Sequence, residues 1–445
     1  MISCDIVIIG TGPGGESLAT RLAGEGLDVV AVEAELVGGE CPYWGCIPSK
    51  MMIRAADAVA EGQRVRRLGG SAEIHPDFSM VAERIRREAT SGWDDSAAAD
   101  RLTQAGVRLV RGRGVVVGER TVEAGGERFS ARRGVVLNTG TVPAVPPIDG
   151  LDSTPYWTNR EAVSATQAPA SLVVIGGGAI GLELAQAYAR FGTAVTILDV
   201  AGRILAVEEP ESSDALRDVL QSEGITVRES VSIDRVDHGD DGFTVSLSND
   251  EVRAERLLVA TGRRARIHDL GLEEFGVDTS AKTLTVDDDM SLAPGLWAIG
   301  DIAGRGQFTH VSMYQAGRVG DVLLGRDPGP YDTSFPRVTF TDPEIGAVGL
   351  TESQARERGI DARTSVAQIP ASSRGFIHGP GNDGFIKLVV DAERDVIVGA
   401  TSAGHRGGET VALLALAVRA EVPLGTLRNM IYPYPTFYRA IESAW

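Results

Sequence analysis

At 445 residues the chain exceeds what one hydrophobic core supports, and two to four domains are expected. With 43% hydrophobic, 23% charged and only 5% aromatic residues, it has the make-up of a soluble globular α/β protein. A net charge of −18 excludes nucleic acid as a partner, because phosphate binding needs a basic surface, and no run of about 20 apolar residues exists to span a membrane.

The chain starts MISCDIVIIG, with no basic region before the apolar run, so the segment reads as a first strand and not a signal peptide. A cytoplasmic location follows as the expectation. Three cysteines in so long a chain then argue against a structural disulfide framework, and a close pair is catalytic or metal-binding.

Asp5–Glu33 reads as strand, glycine turn, helix and a second strand ending in an acid. Its turn, Gly10-Thr-Gly12-Pro-Gly14-Gly15, lets backbone N–H groups approach a pyrophosphate at a helix N-terminus, and Glu33 can accept from a ribose diol. Next comes Gly38-Gly-Glu-Cys41-Pro-Tyr-Trp-Gly-Cys46-Ile-Pro-Ser-Lys50. Two cysteines with four residues between them at a helix entry can form a small redox-active ring, with the helix dipole favouring the thiolate. A buried apolar pair or a zinc half-site are the other readings, but no second Cys/His pair at ligand spacing supports zinc. A helix-rich region follows to about Leu109, then short strands such as VRLVRGRGVVV, then Leu137–Gly150, whose prolines and glycines read as a linker.

Ser171–Asp199 repeats the first design. Its turn is Gly176-Gly-Gly178-Ala-Ile-Gly181, and its strand-end acid is Asp199. An acid there repels a 2′-phosphate, and no arginine pair flanks it, so NADH is expected over NADPH, with NADPH possible. LLVATGRR closes this unit and GLWAIGDIAG follows. After Asp327-Pro-Gly-Pro the composition changes to alternating strands (FIKLVV, VIVGAT) and the helix ETVALLALAVRA.

The Cys41-x4-Cys46-Ile-Pro-Ser-Lys50 segment, both glycine fingerprints, ATGR (Ala260–Arg263), AIGD (Ala298–Asp301) and FTDPEIGAVGLTE (Phe340–Glu352) together resemble the flavin-dependent pyridine nucleotide–disulfide oxidoreductases, the group of dihydrolipoamide dehydrogenase, glutathione reductase and mercuric reductase. The resemblance spans essentially the whole chain. It implies an α/β fold with two Rossmann-like dinucleotide-binding domains, for FAD and NAD(P), plus a C-terminal α+β dimerisation domain. The boundaries expected are 1–150 for FAD, 151–265 for NAD(P), 266–329 returning to the FAD or central domain, and 330–445 for the interface of a homodimer. FAD would lie on the first unit with Asp301 near its ribityl and phosphate groups, and Gly140 and Gly262 would line the cofactor sites. Cys46 would be the charge-transfer thiolate, Cys41 the interchange thiol, and Lys50 would sit by the flavin N5 paired with Glu183.

The chain also departs from that pattern. Disulfide reductases of the family carry a His-Pro-Thr-x-x-Glu element whose histidine moves the proton of thiol–disulfide exchange, and here the segment reads Tyr434-Pro-Thr-Phe-Tyr-Arg439. Tyrosine, with a pKa near 10, is a poor base at neutral pH. Losing a positioned acid–base group costs about 10²–10⁴ in rate. An ordinary lipoamide or glutathione reductase is thereby disfavoured, and the expected acceptor is an unusual disulfide, a metal ion or a quinone. Mercuric reductases have a tyrosine near Tyr434, but they keep the glutamate that is Arg439 here and end in a vicinal cysteine pair where this sequence has Glu-Ser-Ala-Trp445. Two further readings are a diaphorase that bypasses the cysteines and a non-catalytic nucleotide-binding dimer. In the active-site loop, Glu40 replaces a family threonine, and Pro42-Tyr43-Trp44 either reshapes substrate access or is loop packing.

Overall fold

A computed structural model describes all residues, 1–445, and resolves them into two compact units. The first comprises Met1–Pro48, Arg84–Ala144 and Arg263–Tyr331, and the second Ser49–Glu83, Val145–Gly262 and Asp332–Trp445. No helix is long and apolar enough to cross a membrane.

The first unit is built on strand Ile2–Ile9, which pairs in parallel with Val29–Glu33 on one side and Glu127–Leu137 on the other. Arg108–Arg111 and Leu296–Ala298 extend the sheet. Ile6, Val7, Ile8, Val29, Val30 and Val32 are all buried, as expected of strands covered on both faces. Helix Pro13–Gly24 packs against helix Thr309–Leu323. Gly14 makes this possible, because a Cβ there would lie 2.2 Å from Ser312 Oγ.

The second unit contains the repeated strand–helix–strand, Ser171–Ile175, Ala179–Arg190 and Ala194–Leu198, in a four-stranded parallel sheet with Thr226–Arg228 and Arg256–Val259. A three-stranded antiparallel sheet, Ile233–Gly239, Gly242–Leu247 and Asp250–Ala254, packs over Leu151, Val173 and Leu257. A five-stranded antiparallel sheet runs Arg337–Thr339, Glu344–Gly349, Val396–Gly404, Phe385–Asp391, Ala362–Gln368, with helix Gly407–Arg419 against it. Its core joins Ile386, Leu388 and Leu414 to the C-terminal Tyr432 and Ile441.

One element differs from the sequence reading. The stretch Leu137–Gly150 is not a plain linker, because Thr141–Pro143 forms a short antiparallel ladder with Arg263–Ala265. Proline is tolerated at the end of this two-stranded ladder, where no further partner needs its missing N–H.

Candidate functional site

In the first unit, Gly10 adopts φ +97°, and a Cβ there would stand 2.3 Å from Asn138 O. Gly12 precedes helix Pro13–Gly24 with no side-chain cap, which leaves first-turn N–H groups directed at a ligand position. A Cβ on Gly15 would lie 2.1 Å from Gly10 O. Glu33 is buried, and its Oε2 accepts from Thr11 N at 2.8 Å and Thr11 Oγ1 at 2.7 Å. Asp301 accepts from Thr141 Oγ1 at 2.7 Å, and burial holds its carboxyl above the usual range. Gly140, at φ +69°, has open space where a side chain would project. This cradle, with an uncapped helix start and a strand-end acid, fits a dinucleotide of the FAD type.

Cys41 and Cys46 are present as thiols, Cys46 exposed and Cys41 half-buried. Their hydrogen bond is the main influence that pushes the Cys41 thiol up, and burial adds to it. Cys41 therefore keeps its proton and can donate to Cys46. Cys46 begins the 19-residue helix Cys46–Arg64, and its Sγ lies 3.4 Å from Oγ1 of Thr309, which begins helix Thr309–Leu323. Two helix N-termini thus place positive potential at one sulfur. Thr309 is invisible to motif reading, since nothing in the sequence links it to Cys46.

Around the cysteines the loop is braced. Glu40 Oε2 faces Arg263 Nη2 at 3.4 Å, and Arg263 Nε donates to Thr141 Oγ1 at 2.6 Å. This chain of contacts runs Glu40, Arg263, Thr141, Asp301. Trp44 stacks on Trp93 with ring centroids 5.3 Å apart, Trp93 Nε1 donates to Tyr43 O, and the Tyr43 side chain is buried. Tyr43 is packed inward and the half-buried Trp44 is stacked, which favours the packing reading of that loop.

In the second unit, Lys50, one turn beyond Cys46 on the same helix, pairs with Glu183, Nζ to Oε2 at 2.7 Å. Glu183 is 5% exposed, and its Oε1 accepts from Phe340 N at 2.8 Å. The Phe340 ring lies 4.8 Å from Lys50 Nζ, a cation–π contact. An ordinary exposed helix pair would have neither the burial nor the third partner.

Gly176 adopts φ +112°, a Cβ on it would stand 2.4 Å from Ala260 O, and one on Gly181 would stand 2.2 Å from Gly176 O. Gly178 precedes helix Ala179–Arg190 uncapped and faces open space, as does Gly262 at φ +115°. Asp199 accepts from Gly177 N at 2.7 Å and Ala201 N at 2.8 Å. Arg203 is spent on Ser213 Oγ and on the carbonyls of Leu205, Ala206 and Glu208. These residues fit a second dinucleotide.

Tyr434 is 67% exposed and carries the Arg439 guanidinium 5.5 Å from its ring centre. Arg439 also pairs with Glu442 at 2.7 Å and donates to Tyr432 O. Tyr434 lines a hollow of about 590 Å³ with Pro370, Ser372, Phe376 and Ile377. Tyr432 is buried in the core of the antiparallel sheet, and burial pushes its phenol up to about 12. Arg374 lies over the Phe437 ring at 5.3 Å, and His310 stacks on Phe308 at 5.4 Å. Cys4 is buried in the first strand, and burial pushes its thiol up to about 11.

Residues 4–316 match the pyridine nucleotide-disulphide oxidoreductase family, and residues 335–445 match that family's dimerisation domain. A mercuric reductase of Shewanella putrefaciens is 34% identical over 98% of this chain and 80% of its own length. A dihydrolipoyl dehydrogenase of Thermus scotoductus is 34% identical over 100% of this chain and 97% of its own. Among solved structures, the HOCl-induced flavoprotein disulfide reductase RclA from Escherichia coli superposes with a TM-score of 0.87 at 27% identity, over 99% of each chain. A Cu(II) complex of RclA gives a TM-score of 0.88 at 25% identity, over 100% of this chain and 99% of that one.

Proposed function

Because this chain belongs to the pyridine nucleotide-disulphide oxidoreductase family, a family of FAD-dependent enzymes, we propose that its Cys41/Cys46 pair passes electrons from NADH to a soft, thiophilic metal ion of the cupric or mercuric class. The observation that carries this is Tyr434 with Arg439 beside it, where a disulfide reductase needs a histidine and a glutamate. Splitting a disulfide releases a thiolate that must be protonated, and that element holds neither a histidine nor a carboxylate to handle the proton. A metal ion held by two sulfurs takes electrons without a proton.

When bound, FAD supplies the two-electron exchange between nicotinamide and the cysteine pair. The chain's own residues do the rest. Gly10, Gly12 and Gly15 admit one pyrophosphate and Gly176, Gly178 and Gly181 the other, with Glu33 and Asp199 at the riboses. Lys50, fixed by Glu183 and Phe340, holds a positive charge one helical turn from Cys46. Cys46 is the negative sulfur under two helix N-termini, and Cys41 keeps the proton until an acceptor arrives. NADH gives up two electrons and one proton, which reduces one mercuric ion to the metal or two cupric ions to cuprous.

Asp199 beside the engaged Arg203 supports NADH over NADPH. The dimerisation domain supports a homodimer, in which a second copy covers Phe376 and Ile377, 81% and 55% exposed in one chain. The likeness to RclA, a flavoprotein disulfide reductase, favours an unusual disulfide as the second reading.

The test is NADH oxidation with cupric or mercuric ion by the FAD-loaded protein and its Cys41→Ser variant. The proposal expects the variant to lose at least about 10²-fold in metal-ion reduction. Equal rates in both proteins would put electron transfer at the flavin, as in a diaphorase, and sink the relay.

A further inference from the structure

We propose that Glu61, His378 and His405 form a binding site for one divalent transition-metal ion of the zinc–copper class, distinct in position along the chain and in donor chemistry from the cysteine pair. The inference goes beyond the proposed function and stands without it.

The three residues come from separate segments of the second unit. Glu61 lies in the last turn of helix Cys46–Arg64, His378 ends helix Ser373–His378, and His405 follows strand Val396–Gly404. One donor atom from each lies within 4.8 Å of the others, and all three residues are half-buried. Metal–ligand bonds of ~2.0–2.2 Å place two ligands of one ion at most about 4.4 Å apart, so side-chain adjustments of about 1 Å close the set on an ion.

A second observation is independent of that proximity. Nε2 of His378 is buried and has no hydrogen-bond partner. Buried polar atoms are almost always satisfied, and an orphan needs an explanation. The rings of His378 and His405 sit 4.5 Å apart, which brings two imidazoles together where a shared cation would satisfy both. Phe437 packs against both rings, at 5.4 and 5.9 Å, and shields that side from water. Arg64 Nη1 holds Oε1 of Glu61 at 2.6 Å and is itself held by Asp342 at 2.7 Å, an outer contact of the kind that orients a ligating carboxylate. Two imidazoles and one carboxylate suit zinc or copper and are a poor set for calcium or magnesium, which take oxygen ligands. The bland alternative is an aromatic packing cluster.

The experiment uses full-length, FAD-loaded, oxidised protein, in which a Cys41–Cys46 disulfide withholds both sulfurs from the ion. Calorimetric titration with ZnCl₂ should give one ion per subunit. Cupric EPR should show two nitrogen donors. His378→Ala and His405→Ala should each weaken zinc binding at least tenfold and remove one nitrogen from the EPR pattern, and zinc should raise the Tm of the unsubstituted protein alone. Flavin content and metal-free Tm establish that the variants fold, and Glu61→Gln, which keeps the side-chain shape, should weaken zinc at least threefold. Absence of zinc binding, zinc affinity unchanged from the unsubstituted protein in either histidine variant, or a cupric spectrum without nitrogen would overturn the site.

Discussion

Lys50 and Glu183, 133 residues apart in the chain, meet at 2.7 Å, and the buried carboxylate of Glu183 is held from its other side by the Phe340 amide. Glu183→Gln keeps an acceptor for that amide but removes the charge facing Lys50. Reduction of the flavin by NADH, followed by stopped-flow absorbance, should slow about tenfold, the scale of one lost charge-assisted hydrogen bond. Glu183→Ala, which strands both partners, should also lower stability by about 1–3 kcal/mol.

Lys387 is 3% exposed and lies within 3.1 Å of Glu209, Glu211 and Glu352. Those hydrogen bonds outweigh burial and hold its ammonium above the usual lysine range. Removing one partner of a buried charge cluster leaves the others uncompensated, so Lys387→Ala should cost about 3–5 kcal/mol in urea unfolding. Lys387→Met combined with Glu209→Gln should cost less than the single change.

Asp57 pairs with Arg190 at 2.6 Å, yet burial outweighs the arginine and pushes its carboxyl up to about 6. The unfolded chain loses this proton first, near the ordinary value of 3.8, so the folded chain binds more protons between there and about 6. The Asp57 contribution to stability is therefore present at low pH and falls as pH rises through that window. The difference in urea-unfolding free energy between the protein and Asp57→Asn should shift in the variant's favour by about 1 kcal/mol from pH 4 to pH 6.5, a figure kept small because the carboxyl is 40% exposed. A difference that moves the other way would reverse the assignment of burial over pairing.

Tyr434 and Arg439 stand side by side, and by the sequence resemblance they take the places of the acid–base pair of the family's disulfide reductases. Tyr434→His with Arg439→Glu should raise NADH-dependent lipoamide reduction by about 10²-fold, the lower end of what a positioned acid–base group supplies. Tyr434→His alone, with its imidazole beside a guanidinium, should gain less.

Asp199 at the second strand end is fixed by the Gly177 and Ala201 amides. Asp199→Ser should narrow the ratio of kcat/KM for NADH over NADPH by about tenfold, through loss of repulsion toward a 2′-phosphate.

Both strand–glycine–helix units, the cysteine helix, and the strands FIKLVV and VIVGAT with the helix ETVALLALAVRA were legible in the sequence, because each is written in local periodicity and glycine spacing. Thr141–Pro143 was not, since its partner strand lies more than a hundred residues away and only tertiary contact makes a three-residue strand stable. The same holds for Thr309 at Cys46 and for the approach of Glu61 to His378 and His405: no spacing rule connects segments that meet only on folding. Trp44 was ambiguous for a related reason, because its stacking partner Trp93 lies in a different segment.

Cys4 is fully buried with its thiol pushed up to about 11, and it is one of three cysteines in the chain. Every thiol that solvent reagents can reach under native conditions is therefore Cys41 or Cys46, the proposed redox pair. A simple colorimetric thiol assay on the folded protein becomes a stoichiometric gauge of its oxidation state, reading none when the pair is bridged and two when it is open. Electrons stored there can be counted without a spectrum of the flavin.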